Sequence, residues 1–276
     1  ASTRWPPRPR SASTSWAGRC AVCGEWNTLQ EEVALGEVPG RTATGTKLEA
    51  APISKITSRD QQRMVSGLHD FDMILGGGLV PGSVTLIAGQ PGIGKSTLLL
   101  QLADAVGAKF PVLYASGEES AHQVALRAQR LGARQTKLQL ATSTIADDIA
   151  ATIASGVYKL VVVDSIQTVS CNSQTSAAGT ISQISGSTQL IMAAAKQSNT
   201  AVVIVGHVTK EGSIAGPKVL EHVVDVVLQL EGDAYGGFKI LRASKNRFGS
   251  TNEAGIYERT EAGSTTVANP SAALLA

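Results

Sequence analysis

The chain has 276 residues, with 28 glycines, 17% charged residues and 4% aromatics. That is enough chain for one large core or two modest ones, and the balance fits a loop-rich α/β domain rather than a coiled coil or a disordered chain. The formal net charge of +2 leaves any nucleic-acid contact to local clusters of basic residues. No apolar stretch approaches the ~20 residues that span a bilayer, so no membrane association is expected. Residues 1–20 lack the apolar core of a secretory signal, and three cysteines make no disulfide framework; a cytoplasmic location follows as an expectation.

Residues 1–19 carry Arg4, Arg8, Arg10 and Arg19 with no acid, among three prolines, and read as unfolded. Cys20-Ala21-Val22-Cys23-Gly24 has the form of a knuckle that ends a zinc ribbon, two thiolates on a tight turn supplying half a tetrahedral site. With no second C-x-x-C and no histidine before His69, this segment cannot close a structural zinc site, and two free thiols are the better reading. Residues 1–29 are thus a partial zinc-ribbon segment, residues 30–62 a linker rich in Gly, Thr, Pro and Ala, and residues 63–276 the main domain.

In that domain a short helix near residues 68–75 runs into a glycine turn, Gly76-Gly77-Gly78. The run Val84-Thr85-Leu86-Ile87-Ala88 reads as a buried strand. Strands are expected at 111–115, 137–140, 159–164 and 201–205. Helices are expected at about 98–106, 121–131, 145–153 and 181–197. Apolar, β-branched runs alternating with helices predict a mainly parallel sheet covered on both faces. Residues 223–230, 239–243 and 254–257 read as strands joined by short turns, extending the sheet in antiparallel fashion.

The first of these strands ends in Gly89-Gln90-Pro91-Gly92-Ile93-Gly94-Lys95-Ser96-Thr97, a complete G-x-x-x-x-G-K-[ST] loop between strand and helix. Glycines let the backbone curl around a phosphate and point its amides inward. Lys95 neutralises the β/γ-phosphates, Ser96 faces Mg²⁺, and the helix that starts there adds its positive end. The cofactors expected are therefore ATP and Mg²⁺. Asp164 closes an apolar strand, where a carboxylate reaches the Mg²⁺ beside such a loop. Glu118 and Glu119 leave another strand at the same edge; one can orient and deprotonate the attacking water, with Glu118 the first choice, while the other serves as a helix-start acid.

His207 stands where the strand 201–205 runs out and can sense the γ-phosphate or simply pack. Lys245-Asn246-Arg247-Phe248-Gly249 reads as a solvated basic turn, or as cations completing a neighbouring subunit's phosphate site. Residues 165–180 and 208–219 are long for an α/β domain, and the second carries Lys210 and Lys218; such loops commonly serve function.

Taken in order, these motifs resemble the bacterial RadA (Sms) DNA-repair ATPases, within the RecA-like P-loop superfamily. The resemblance covers about residues 16–274. It rests also on Trp16-Ala17-Gly18-Arg19-Cys20, Gly24-Glu25-Trp26-Asn27-Thr28-Leu29, Leu75 to Gly82, Ser116-Gly117-Glu118-Glu119-Ser120, Val163 to Thr168, Gly206 to Gly212, Ile214-Ala215-Gly216-Pro217, Leu220-Glu221-His222, the Lys245–Gly249 signature and Val267-Ala268-Asn269-Pro270-Ser271. It implies a hexameric DNA-dependent ATPase that drives branch migration of recombination intermediates, with single-stranded and branched DNA and the RecA recombinase as partners. It raises Lys245 and Arg247 to inter-subunit catalytic or coupling residues, and assigns the two long loops, Lys210 and Lys218 among them, to DNA.

Three departures from the family pattern stand out: half of a four-cysteine ribbon is absent, the chain stops where a Lon-protease-like domain would begin, and Ser185-Gly186 replaces a charged pair, which is expected to weaken a helix. A RecA-like ATP-binding switch without translocation is the alternative function. A nucleotide kinase is disfavoured, because no Arg-rich lid is present.

Overall fold

The structure, a computed structural model, describes residues 32–38, 41–46, 50, 52, 62–208, 217–232, 237–260 and 263–267. The chain divides into two compact units, Ala1–Arg59 and Asp60–Ala276. In the first, β1 (Glu32–Val38) pairs antiparallel with β2 (Arg41–Thr46). This hairpin lies inside the interval expected to be linker. The Pro39-Gly40 pair that separates its strands in sequence is a turn signal that composition alone assigns to a loop.

The second unit is built on one nine-stranded sheet of order β11-β10-β9-β8-β3-β7-β6-β4-β5. Its strands are β3 (Val84–Gly89), β4 (Val112–Ser116), β5 (Leu138–Thr142), β6 (Leu160–Asp164), β7 (Ala201–His207), β8 (Val226–Gly232), β9 (Phe238–Asn246), β10 (Ala254–Thr260) and β11 (Gly263–Thr266). Strands β8, β3, β7, β6, β4 and β5 run parallel, and β9 to β11 extend the sheet antiparallel. Expectation and structure agree on this RecA-like α/β architecture.

Helices α1 (His69–Ile74), α2 (Lys95–Gly107) and α3 (Ala121–Arg130) cover one face, through Phe71, Ile74, Leu99, Leu102 and Val124. Helices α4 (Ala146–Ala154), α5 (Ile181–Ser198) and α6 (Pro217–Val223) cover the other, through Ile149, Ile153, Ile184, Ile191 and Leu220. Central strands are buried on both faces, which is why β3, β6 and β7 read as unbroken apolar runs rather than alternating ones. All five residues of β6 and six of the seven in β7 are buried.

Three local outcomes differ from the sequence pattern. Val223, expected to open a strand, ends α6, and β8 begins at Val226; Leu220 and Val224, both fully buried, sit four residues apart at helical spacing. Strand β11 has no apolar pattern. Gln101 on α2 pins it instead, accepting from the Ser264 amide (3.0 Å) and donating to the Ser264 carbonyl (3.2 Å). Helix α5 runs through Gly186 unbroken; a Cβ there would lie 3.0 Å from Cys171 Sγ, so the absence of a side chain admits the close approach.

Candidate active site

Parallel pairing brings the ends of β3, β4, β6 and β7 to one edge of the sheet, with Gly89 opposite His207 and Ser116 opposite Asp164. At that edge β3 turns into the loop ahead of α2. Gly92 and Gly94 take φ of +76° and +109° there, a region that a side chain disfavours. No side chain caps α2 at Gly94, so its first-turn amides are left for an anion. Lys95 is buried and donates to the carbonyls of Gly89 (2.8 Å) and Gln90 (2.9 Å). Burial lowers its ammonium to about 8, against the opposing pull of Asp164 and Glu118. Ser96 and Thr97 follow in the first turn of the helix.

Asp164 is 4% exposed. Its Oδ2 accepts from the Tyr114 hydroxyl at 2.5 Å, while Oδ1 is buried with no hydrogen-bond partner. An orphaned carboxylate oxygen at the end of a strand beside a phosphate loop, with the Ser96 hydroxyl as second donor, is a hard-oxygen set that fits Mg²⁺. Among the described residues no group of three or more His, Cys, Asp or Glu forms a metal cluster. The Tyr114 phenol is raised well above 10, chiefly by burial and then by the Asp164 charge, so it remains a donor.

Glu118 and Glu119 separate. Glu118 Oε1 accepts from the Ser165 hydroxyl (2.7 Å) and meets His207 Nε2 at 2.9 Å. Its charge is felt at Lys95. Glu119 turns toward α3, where it pairs with Arg127 at 2.6 Å. Glu118 is therefore the carboxylate that faces the phosphate loop. Gly117 lets this turn close on the next: a Cβ there would lie 2.4 Å from Thr168 Oγ1, and its amide donates to the Asp164 carbonyl at 2.7 Å. His207 is fixed from two sides, its ring on Glu118 and its carbonyl accepting from Gln167 Nε2 at 3.3 Å. The next residue, Val208, donates its amide to Gly89 O at 3.1 Å. His122 and His222 are exposed on helices.

The loop after β6 is ordered from beneath by Gln183 of α5, which is 2% exposed. Gln183 accepts from the Cys171 amide (2.8 Å) and donates to the carbonyls of Gln174 (3.1 Å) and Ser176 (2.8 Å). Lys245 and Arg247 lie at the opposite edge of the sheet, where β9 pairs with the start of β8. Lys245 Nζ donates to the carbonyls of Glu221 (2.7 Å) and Val224 (2.8 Å), holding the end of α6. Arg247 pairs with the buried Asp225 at 3.1 Å, and Asp225 in turn accepts from the Val84 amide. Neither cation touches the phosphate loop of its own chain. Cys20, Cys23 and Lys210 fall outside the described residues, and Lys218 belongs to α6 with its side chain outside that description.

Sequence reasoning missed Tyr114, Ser165, Gln167 and Gln183. Tyr114 read as one more apolar residue of β4; the available signal was a phenol two residues before the end of a strand neighbouring one that closes on Asp. The others are neutral polar residues, whose roles are set by partners distant in sequence.

Residues 68–213 match the AAA domain family. The chain is 46% identical over 263 residues to the DNA repair protein RadA of Pseudomonas aeruginosa and 48% identical over 265 to that of Bacillus subtilis. Each alignment covers 94% of this chain and 58% of the relative. The chain belongs to the bacterial RadA family of P-loop proteins. It spans about 58% of the length of these relatives. The crystal structure of the RadB recombinase superposes with a TM-score of 0.57 at 23% identity, covering 74% of this chain and 99% of that one, a likeness of fold. Among the described residues no helix is long and apolar enough to cross a membrane.

Proposed function

We propose that this chain is a DNA-stimulated ATPase of recombinational repair, which drives branch migration of recombination intermediates as part of a homo-hexamer. The observation that carries the reading is the Glu118–His207 contact at 2.9 Å. It ties the carboxylate best placed to activate water to the strand end that leads into the 208–219 segment.

In this mechanism the loop amides and Lys95 hold the triphosphate, and Lys95 exchanges carbonyl partners for phosphate oxygens. Ser96 and Asp164 would hold Mg²⁺, which would supply Lewis-acid neutralisation of the phosphates. Glu118 accepts the proton of the attacking water, and Ser165 and His207 hold that carboxylate in place. His207 and Val208 carry the state of the site into the segment that follows, where Lys210 and then Lys218 of α6 meet the DNA backbone. Lys245 and Arg247 act in trans, on the phosphate site of a neighbouring subunit. The resemblance extends the partners to the RecA recombinase.

The test is steady-state ATP hydrolysis with and without single-stranded DNA at two salt concentrations, with Lys95→Ala as blank. Salt-sensitive stimulation by DNA is expected. Hydrolysis indifferent to DNA would reduce the protein to an ATP-driven switch.

A further inference from the structure

The side of the phosphate loop away from the catalytic carboxylates carries a second cation that no motif predicts. Asp164 and Glu118 approach the loop from the β7-β6-β4 side of β3, whereas β8 and then β9 lie on the other side. Lys239, near the start of β9, is 9% exposed. Two strand spacings, about 9–10 Å, separate its backbone from the loop, and the side chain crosses that gap. A Cβ built on Gly94 would lie 2.5 Å from Lys239 Nζ and 3.7 Å from its Cε.

The residue of β8 paired with Lys239 is Gly232. A Cβ on Gly232 would meet Ile93 Cδ1 of the loop at 3.2 Å, so the end of β8 and the loop already fit closely there. Gly94 thus leaves, by its missing side chain, the space that the Lys239 ammonium occupies. Beyond it opens a cavity of about 600 Å³ lined by Gly94, Thr97, Arg130, Lys239, Thr260 and Ser264, continuous with the phosphate loop.

We propose that Lys239 is a phosphate-binding residue acting in cis, gripping the part of the nucleotide that remains after hydrolysis, the diphosphate, from the side opposite the catalytic carboxylates. This rests on the reading of the loop as a nucleotide site and adds a residue to it. Position supports the assignment to the diphosphate: the reacting end faces Glu118 and Asp164, and Lys239 flanks the loop where Gly94 and Thr97 face the cavity. A compact ammonium suits such a point contact. Lys95 and Lys239 together bracket the loop from its two sides, one from within the helix and one from the antiparallel extension of the sheet.

The test is equilibrium titration of the full chain with a fluorescent adenosine diphosphate at two salt concentrations, for the wild type, Lys239→Met, Lys239→Arg and Lys95→Ala. Lys239→Met should weaken binding about 10- to 100-fold, the usual loss for a hydrogen bond to a charged group. It should also flatten the salt dependence. Lys239→Arg should restore most of the affinity, which a packing role would not predict. Wild-type affinity in Lys239→Met overturns the proposal, as does an equal loss in the Met and Arg variants with unchanged salt dependence. Full affinity in Lys95→Ala would instead remove the nucleotide site itself, and this inference with it.

Discussion

Replacing Tyr114 by Phe removes one oxygen from the candidate site and leaves the ring in the core. Tyr114 is 1% exposed and Asp164 4%, and the hydrogen bond between them measures 2.5 Å. Asp164 Oδ1 already has no partner, so the variant leaves a buried carboxylate with no donor on either oxygen. A bond to a charged acceptor contributes about 1.5–3 kcal/mol. At about 2–4 °C per kcal/mol for a domain of 150–250 residues, the unfolding midpoint should fall by about 3–12 °C. The assay is thermal unfolding of Tyr114→Phe, Asp164→Asn and the double variant, with and without Mg²⁺ and a non-hydrolysable triphosphate. The two single losses should not add, since both break the same contact. The deficit of Tyr114→Phe should shrink when Mg²⁺ and nucleotide are present, because a cation at Asp164 offsets the missing donor. A midpoint within about 1 °C of wild type without ligand, on the same scale of 2–4 °C per kcal/mol, would refute the reasoning: Asp164 would then have no need of the phenol.

Glu118→Gln should lower hydrolysis by about 10²–10⁴ while nucleotide binding persists. Glu119→Gln should leave hydrolysis intact and cost less than about 1 kcal/mol in urea unfolding, because its ion pair with Arg127 is partly solvated; the reverse ranking would exchange their roles. Arg247→Ala should spare nucleotide binding, reduce turnover and cost about 1 kcal/mol in urea unfolding, since Arg247 is 48% exposed while its partner Asp225 is buried; normal turnover would remove Arg247 from the mechanism. Lys95 is held to about 8 in the free protein by burial, and a bound polyphosphate raises it again. Nucleotide affinity should therefore fall as pH climbs through 8 toward 10, and binding near pH 8.5 should take up about 0.7 proton. Calorimetry in buffers of different ionisation enthalpy reads this directly, and no uptake at that pH would mean that Lys95 stays charged.

The strands and helices that position the site were legible because each is long, apolar and cleanly punctuated. β3, β6 and β7 are β-branched runs, each ending in a residue with chemistry. The phosphate loop, Asp164 and the Glu118-Glu119 pair carry signals local to a few residues, so spacing singles them out as candidates, whereas which glutamate turns toward the loop is read only from the contacts with Ser165, His207 and Arg127. What escaped lies in long-range partnership. β11 is pinned by Gln101, more than 160 residues away, and Gly186 fits against Cys171, 15 residues earlier, only because it has no Cβ. Tyr114 and Asp164 are 50 residues apart, and no periodicity reports that two neighbouring strands end one carboxylate and one phenol side by side. Lys245 shows the converse. Its sequence setting suggests a free cation, but three-dimensional packing gives it the carbonyls at the end of α6.

The phosphate loop and the 208–219 segment share hydrogen-bonding groups, which gives coupling between them a physical basis. Gly89 O accepts at once from Lys95 Nζ and from the Val208 amide. Glu118 holds His207, the residue before Val208, and Gln167, two residues past Ser165, holds the His207 carbonyl. Lys95 has three donors and spends two on the loop's own carbonyls, so a phosphate that drew more than the third donor would redistribute bonds at Gly89. In the proposed mechanism, deprotonating water through Glu118 would alter the charge that His207 faces. Both events converge on two consecutive residues, 207 and 208, at the start of the segment that carries Lys210. On the proposed mechanism, the path from the nucleotide site to that segment is one or two hydrogen bonds long.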